Sequence, residues 1–384
     1  MTPPKHQQAI KIFLVFFSVG IMLFIALLGF YAGKLYTNRA NATLIRDINN
    51  LMPLTPILNN SQVRPEEVLG VYEAKVEVSA LDTFCFDIPK VPTPFVVSAP
   101  RPGWFGNAYI NHQQFRYGRE IVLPKPAEVY RIFLTGGSVA FGGGAPGNGT
   151  TISGFLEKIL NDSLSATLHK KIEVVNAACP AWCSTQERIW IENYLADMQP
   201  DMIISFSGNN DVHWSKSGNN TLFFRSYWDH FLNMVAQNVY SATGNGNYPE
   251  ILSAGNTRIA PSKVSERLSR NILLSSTVAN AQKFRYVFVL QPNLLSTNRE
   301  MTPYETAWLA KWDIKDRDYF RECYAAFRQM LAGADHQNFL FIDQSALFDQ
   351  VPKEKQVFFD AYHFGDRGNR LVAEDLAWQL RGLI

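Results

Sequence analysis

Three short blocks, far apart in a chain of 384 residues, carry side chains that complement one another: Gly136-Gly137-Ser138-Val139, Gly208-Asn209-Asn210-Asp211 and Asp360-Ala361-Tyr362-His363. Ser138 is a candidate nucleophile, but a serine hydroxyl attacks poorly at neutral pH until a base takes its proton. His363 is the base of choice, because imidazole titrates in the right range. Asp360, three residues earlier, can bond the other ring nitrogen and hold its tautomer and orientation. Attack on an acyl carbonyl creates a negative oxygen that needs donors already in place. The Asn210 side-chain amide and the Ser138 backbone N–H supply two. Together these groups form a set for acyl transfer through a serine ester.

Each block also has an ordinary structural reading. Gly-Gly-Ser can be a strand-to-helix turn with a capping serine, Asn210-Asp211 an Asx-turn, and His363 a surface histidine ahead of a helix. Their joint occurrence, two of them directly after β-like runs, favours the chemical reading. Trp182, Trp190 and Phe223-Phe224 read as core or cleft wall rather than sugar platforms, and nothing selects Arg285 or Arg299 as substrate contacts.

The elements that must position these groups are legible from about residue 126 onward. Largely apolar runs at 129–134, 172–176, 202–206, 286–290 and 339–343 have the profile of buried strands. Helical spacing occupies 152–164, 185–198, 263–284, a long stretch at 303–332, and 366–380. Strands alternating with helices, each strand a largely apolar run, imply a parallel sheet covered on both faces. Reactive groups then gather beyond the carboxyl ends of the strands, where Ser138 and Asn210 both fall.

Across roughly residues 126–384 the blocks resemble those of the SGNH (GDSL-type) hydrolase superfamily. Gly136-Gly137-Ser138 matches that family's Gly-Asp-Ser-like nucleophile block. Gly208-Asn209-Asn210-Asp211 matches Gly-x-Asn-Asp, with Asn210 at the oxyanion position, and Asp360 to His363 matches Asp-x-x-His. The family's second block lends a glycine backbone N–H to the oxyanion hole; here Asn176-Ala177-Ala178-Cys179-Pro180-Ala181-Trp182 stands in that region, with Ala181 in the glycine's place. Alanine keeps the N–H, at a cost of about 1–2 kcal/mol if the position requires positive φ. The resemblance implies a flavodoxin-like three-layer α/β/α sandwich and ester hydrolysis or acyl transfer. Neither cofactor nor metal is expected.

Composition bounds the setting. Lys and Arg total 36 against 34 Asp and Glu, a formal net charge of +2, and no basic patch stands out, so nucleic acid is not an expected partner. Residues 12–33 carry no charge over 22 positions, about 30 Å as helix, which matches a bilayer's hydrocarbon core. A cleaved signal peptide competes, but its apolar region is usually about 7–15 residues, and Ala40-Asn41-Ala42 lies far past the run. A cytoplasmic tail and transmembrane signal anchor is therefore expected over 1–34, a polar stalk and irregular proline-rich extension over 35–125, and the catalytic domain over 126–384. The positive-inside rule only slightly favours a cytoplasmic N-terminus; a short tail before an anchor would deliver the rest to the periplasm or another extracytoplasmic space. Cys85, Cys179, Cys183 and Cys323 permit disulfides; the Cys179/Cys183 pair reads as a local disulfide or as two small buried thiols. The expected protein is a membrane-anchored serine esterase, or O-acyltransferase, acting on an acylated carbohydrate or other ester at the envelope. The alternative is a non-catalytic or weakly catalytic accessory subunit of a membrane complex, motivated by Ala181, the aromatic 214–231 segment and the single anchor.

Overall fold

A computed structural model of the chain describes residues 5–50, 55–57, 64–216, 218, 257–334 and 337–384. The chain divides into two compact units, 1–51 and 52–384. The first holds helix α1 (Lys5–Asn50), which is long and apolar enough over Ala9–Arg39 to cross a membrane or to act as a signal sequence. It does not stop at the end of the apolar run. No proline occurs until Pro53, so the polar residues expected to form a stalk continue the helix to Asn50.

In the second unit, five parallel strands form the central sheet among the described residues: β1 (Val129–Gly136), β2 (Lys171–Asn176), β3 (Met202–Ser207), β4 (Arg285–Leu290) and β5 (Phe339–Asp343). Their spatial order is β2-β1-β3-β4-β5, the flavodoxin-like arrangement, whose order reverses between β1 and β3. Leu134 lies beside Ile204 and Gly136 beside Phe206, so β1 and β3 end together at one edge.

Alternation along the strands builds two cores. Ile132, Leu134, Val174, Ile204 and Val289 face helices α3 (Ile152–Leu168) and α9 (Asp366–Leu380), packing with Leu156, Leu160, Val372 and Leu376. Phe133, Val175, Ile203, Phe288 and Leu290 face the opposite layer, with Ile189, Leu268, Ile272, Phe320 and Phe327. Those residues come from α4 (Ser184–Trp190), α6 (Pro261–Gln282) and α8 (Ile314–Leu331). The result is a three-layer α/β/α sandwich, each fully buried aliphatic side chain contributing about 1.5–3 kcal/mol.

Two helices differ from the sequence expectation. The stretch expected as one helix over 303–332 is two, α7 (Pro303–Ala310) and α8. The break lies at Asp313, whose carboxylate accepts from the Lys315 N–H at 2.7 Å and caps the second helix. The 185–198 helix is regular only to Trp190, then widens into a π turn over Ile191–Leu195 and tightens over Ala196–Met198.

Between residue 55 and β1 the chain forms short helical turns at Pro65–Val68, Leu69–Val71 and Val78–Thr83 and short antiparallel pairs: Thr55–Pro56 with Cys85–Asp87, Lys90–Thr93 with Val97–Pro100, and Gly103–Phe105 with Ala108–Ile110. Its Ile88 and Ile110 enter one core of the sandwich, and Val96, Ala99 and Phe115 the other.

Candidate active site

The turn that carries Ser138 follows directly from β1. Gly136 has φ +150°, and a Cβ there would lie 2.3 Å from the Phe206 carbonyl oxygen, so only glycine lets β1 end against β3 in this way. A Cβ on Gly137 would lie 2.4 Å from Asn210 Nδ2 and 3.2 Å from the Trp182 carbonyl oxygen. The bare backbone at that position lets the Ser138 turn, the Asn210 block and the Trp182 segment converge. Ser138 then opens the short helix α2 (Ser138–Phe141). Its hydroxyl does not cap that helix; it meets His363 Nε2 at 2.7 Å.

His363 and Asp360 lie in the loop between β5 and α9, and both are buried. Asp360 Oδ2 pairs with His363 Nδ1 at 2.7 Å, while Oδ1 accepts the backbone N–H groups of Tyr362 and His363, each at 2.7 Å. Burial alone would raise the Asp360 pKa, but the adjacent imidazole and these hydrogen bonds outweigh it and hold it below the usual carboxylate value. An ionised Asp360 favours the tautomer with the proton on Nδ1, leaving Nε2 free to accept the Ser138 proton. Ser138, His363 and Asp360 thus form one continuous hydrogen-bonded line. His363 is no surface residue.

The oxyanion candidates occupy the same sheet edge. Ala181 follows β2 and Asn210 lies in α5 (Asn209–Lys216), immediately after β3. Ser138 is the single partly exposed residue within the buried run 131–145, Ala181 within 174–187, and Asn210 within 202–212. Solvent therefore reaches these three positions and not their neighbours. Asn210 Nδ2 donates to the Trp182 carbonyl at 2.7 Å, which uses one of its two N–H donors and orients the other. Ala181 has φ +71°, the left-handed region where alanine carries a steric cost of about 1–2 kcal/mol. The backbone needs a glycine-like angle here, and the chain adopts it without glycine.

Asp211 is a strut behind this wall rather than part of an Asx-turn. Its carboxylate accepts from the Ser184 hydroxyl at 2.6 Å and the Ser184 N–H at 3.1 Å, tying the turn after Ala181 to the helix that carries Asn210. Burial raises its pKa, partly offset by the Ser184 bonds. Glu187, one turn into α4, shares the same buried polar network and is pushed up to about 8, chiefly by burial. His213, one turn after Asn210, bonds the Tyr362 hydroxyl at 3.0 Å, and burial with nearby Lys216 lowers its pKa to about 4. A neutral imidazole therefore flanks the site. Nothing in the sequence spacing marks it, because its partner Tyr362 lies 149 residues away.

Other residues weighed from sequence fall elsewhere. Arg285 is exposed at the amino end of β4, the opposite edge of the sheet. Arg299 forms a fully buried ion pair with Glu305 at 3.1 Å. Trp182 and Trp190 are core residues, whereas Phe223-Phe224 and most of 214–231 lie outside the described residues. All four cysteines are free and buried, and burial raises the Cys179 and Cys183 pKa values, so the pair is two small buried thiols. Among the described residues no group of three His, Cys, Asp or Glu side chains is arranged to hold a metal ion.

No family model and no curated protein matches the chain. Solved structures similar to it include an α/β hydrolase enzyme from the metagenome of Lake Arreo, Spain, at 14% identity and TM-score 0.41, covering 65% of this chain and 94% of that one. An acetylxylan esterase from Geobacillus stearothermophilus is similar at 15% identity and TM-score 0.38, covering 66% of this chain and 93% of that one. A GDSL-like lipase from Bacteroides thetaiotaomicron is similar at 11% identity and TM-score 0.35, covering 66% and 89% respectively. These are distant likenesses.

Proposed function

We propose that this chain is a membrane-anchored serine esterase of SGNH type that removes an acyl group, O-acetyl in the first instance, from an envelope glycan or exopolysaccharide. Ser138 Oγ attacks the acyl carbonyl carbon while His363 Nε2 takes the hydroxyl proton and Asp360 steadies the imidazolium. The Ser138 and Ala181 backbone N–H groups and the Asn210 amide hold the resulting oxyanion. Collapse breaks the ester C–O bond, and His363 gives the proton to the departing sugar oxygen, which leaves as a hydroxyl. Water, deprotonated by His363, then attacks the acyl-enzyme and releases the acid and free Ser138. If a second sugar hydroxyl replaces water in that step, the same residues perform O-acyl transfer.

The observation that carries this reading is the unbroken line Ser138–His363–Asp360, with both contacts at 2.7 Å. Support for an envelope substrate comes from the apolar helix near the N-terminus, with a cytoplasmic N-terminus and an extracytoplasmic catalytic domain as the proposed topology. Hydrolysis of an aryl acetate by the full chain, with Ser138→Ala as control, tests the chemistry. Equal turnover by both proteins, together with no labelling of Ser138 by a fluorophosphonate, would leave an accessory, non-catalytic role as the reading.

A further inference from the structure

The segment before β1 reaches the imidazole. Phe86 stacks on His363 with ring centroids 5.3 Å apart and planes at 29°. Phe359 stacks on the same ring at 5.8 Å and 11°. Phe359 belongs to a hydrophobic cluster otherwise built from Ile57, Val68, Val71, Tyr72, Leu81 and Phe84, all of them before β1. The same region is tied to the chain leaving the nucleophile: the Gly144 N–H donates to the Cys85 carbonyl at 2.8 Å, and the Tyr72 hydroxyl donates to the Gly144 carbonyl at 2.9 Å. A Cβ on Gly143 would lie 2.7 Å from Phe86 Cβ, and one on Gly144 2.6 Å from the Phe359 ring. These aromatic residues and the stretch after α2 are shaped to each other.

We infer that the segment preceding β1 is part of the active site, with Phe86 a positioning residue for the His363 ring. The bonds to Asp360 and Ser138 restrain the imidazole edge-on, within its own plane. They do little against tilting out of that plane, and an aromatic face stacked on the ring does restrain that motion. Phe86 is partly exposed, so one part of its ring meets solvent while its face covers His363. This role presupposes the serine-ester chemistry proposed above.

The test compares the full-length protein in detergent with Phe86→Leu and Phe86→Tyr. Turnover of p-nitrophenyl acetate, thermal unfolding, and the downfield proton NMR signal of the His363 Nδ1–H are measured, the last identified by its loss in His363→Ala. For Phe86→Leu the expected result is a kcat lower by about tenfold, as misplacement of a reacting group by a fraction of an ångström produces. KM and the unfolding temperature stay close to wild type, the NMR signal broadens, and Phe86→Tyr restores both kcat and signal. Should leucine destabilise the fold, Phe86→Met takes its place with the same expectations. A wild-type kcat and an unchanged signal in the leucine variant, or a loss that tyrosine fails to restore, would overturn the role. A wild-type protein without turnover whose NMR signal still depends on Phe86 would sink the esterase reading and leave the positioning intact.

Discussion

Ser138, Ala181 and Asn210 reach solvent from three otherwise buried runs, so substitutions there test chemistry more than packing. Ser138→Ala removes the proposed nucleophile. Aryl acetate turnover is expected to fall by at least about a thousandfold, with the thermal unfolding midpoint little changed. Asn210→Ala is expected to lower kcat by about 10²–10³ with KM nearly constant, since the donor acts on charge that exists only in the transition state. A rise in KM alone would instead place Asn210 in ground-state binding. Ala181→Gly relieves a left-handed alanine at φ +71°. The expected gain is about 1 kcal/mol, the steric relief being partly offset by the greater freedom of glycine in the unfolded chain. Calorimetry decides this, and a loss of stability would show that the methyl group is packed to advantage.

The elements hold these residues through buried polar links, and those links carry a pH signature. Glu187 in α4 titrates at about 8 in the native state, mainly because it is buried. Its unfolded value is near 4.3, so between those limits the native state binds more protons than the unfolded chain. Stability is therefore expected to fall as pH rises from about 5 through 8, by an amount on the order of a few kcal/mol. Glu187→Gln should flatten that slope in urea unfolding followed at several pH values, and a slope identical to wild type would exclude Glu187 as its source. The five strands were legible because each is a largely apolar run, a local signal independent of partners. The division at Asp313 was less so, because helical spacing continues across it and a single capping carboxylate decides the boundary. Short pairs such as Lys90–Thr93 with Val97–Pro100 gave almost no repeat to read, since three or four residues are too few for periodicity.

At the level of the whole molecule, α1 poses a choice between anchor and cleaved signal. The anchor reading predicts that the full-length protein stays in the membrane pellet after alkaline carbonate extraction and that its N-terminal sequence is intact. A soluble product beginning near residue 43 would establish the signal peptide instead. Protease added to intact cells or spheroplasts is expected to digest the domain that carries Ser138 and His363 and spare the N-terminal tail. The reverse pattern would invert the proposed topology.

Local sequence was enough for the alternation of strands and helices, for the three blocks, and for the edge of the sheet on which two of them fall. Apolar runs, glycines at a turn and an Asp three residues before a His act over a few positions, and their physics needs no distant partner. Tertiary structure alone closed the 225-residue separation between Ser138 and His363 to 2.7 Å. It also set Ala181 in the left-handed region and brought Phe86 onto the imidazole. Those outcomes depend on strand order, on register and on which side chains fill the space between layers. They are properties of packing among distant segments, which no spacing along the chain encodes.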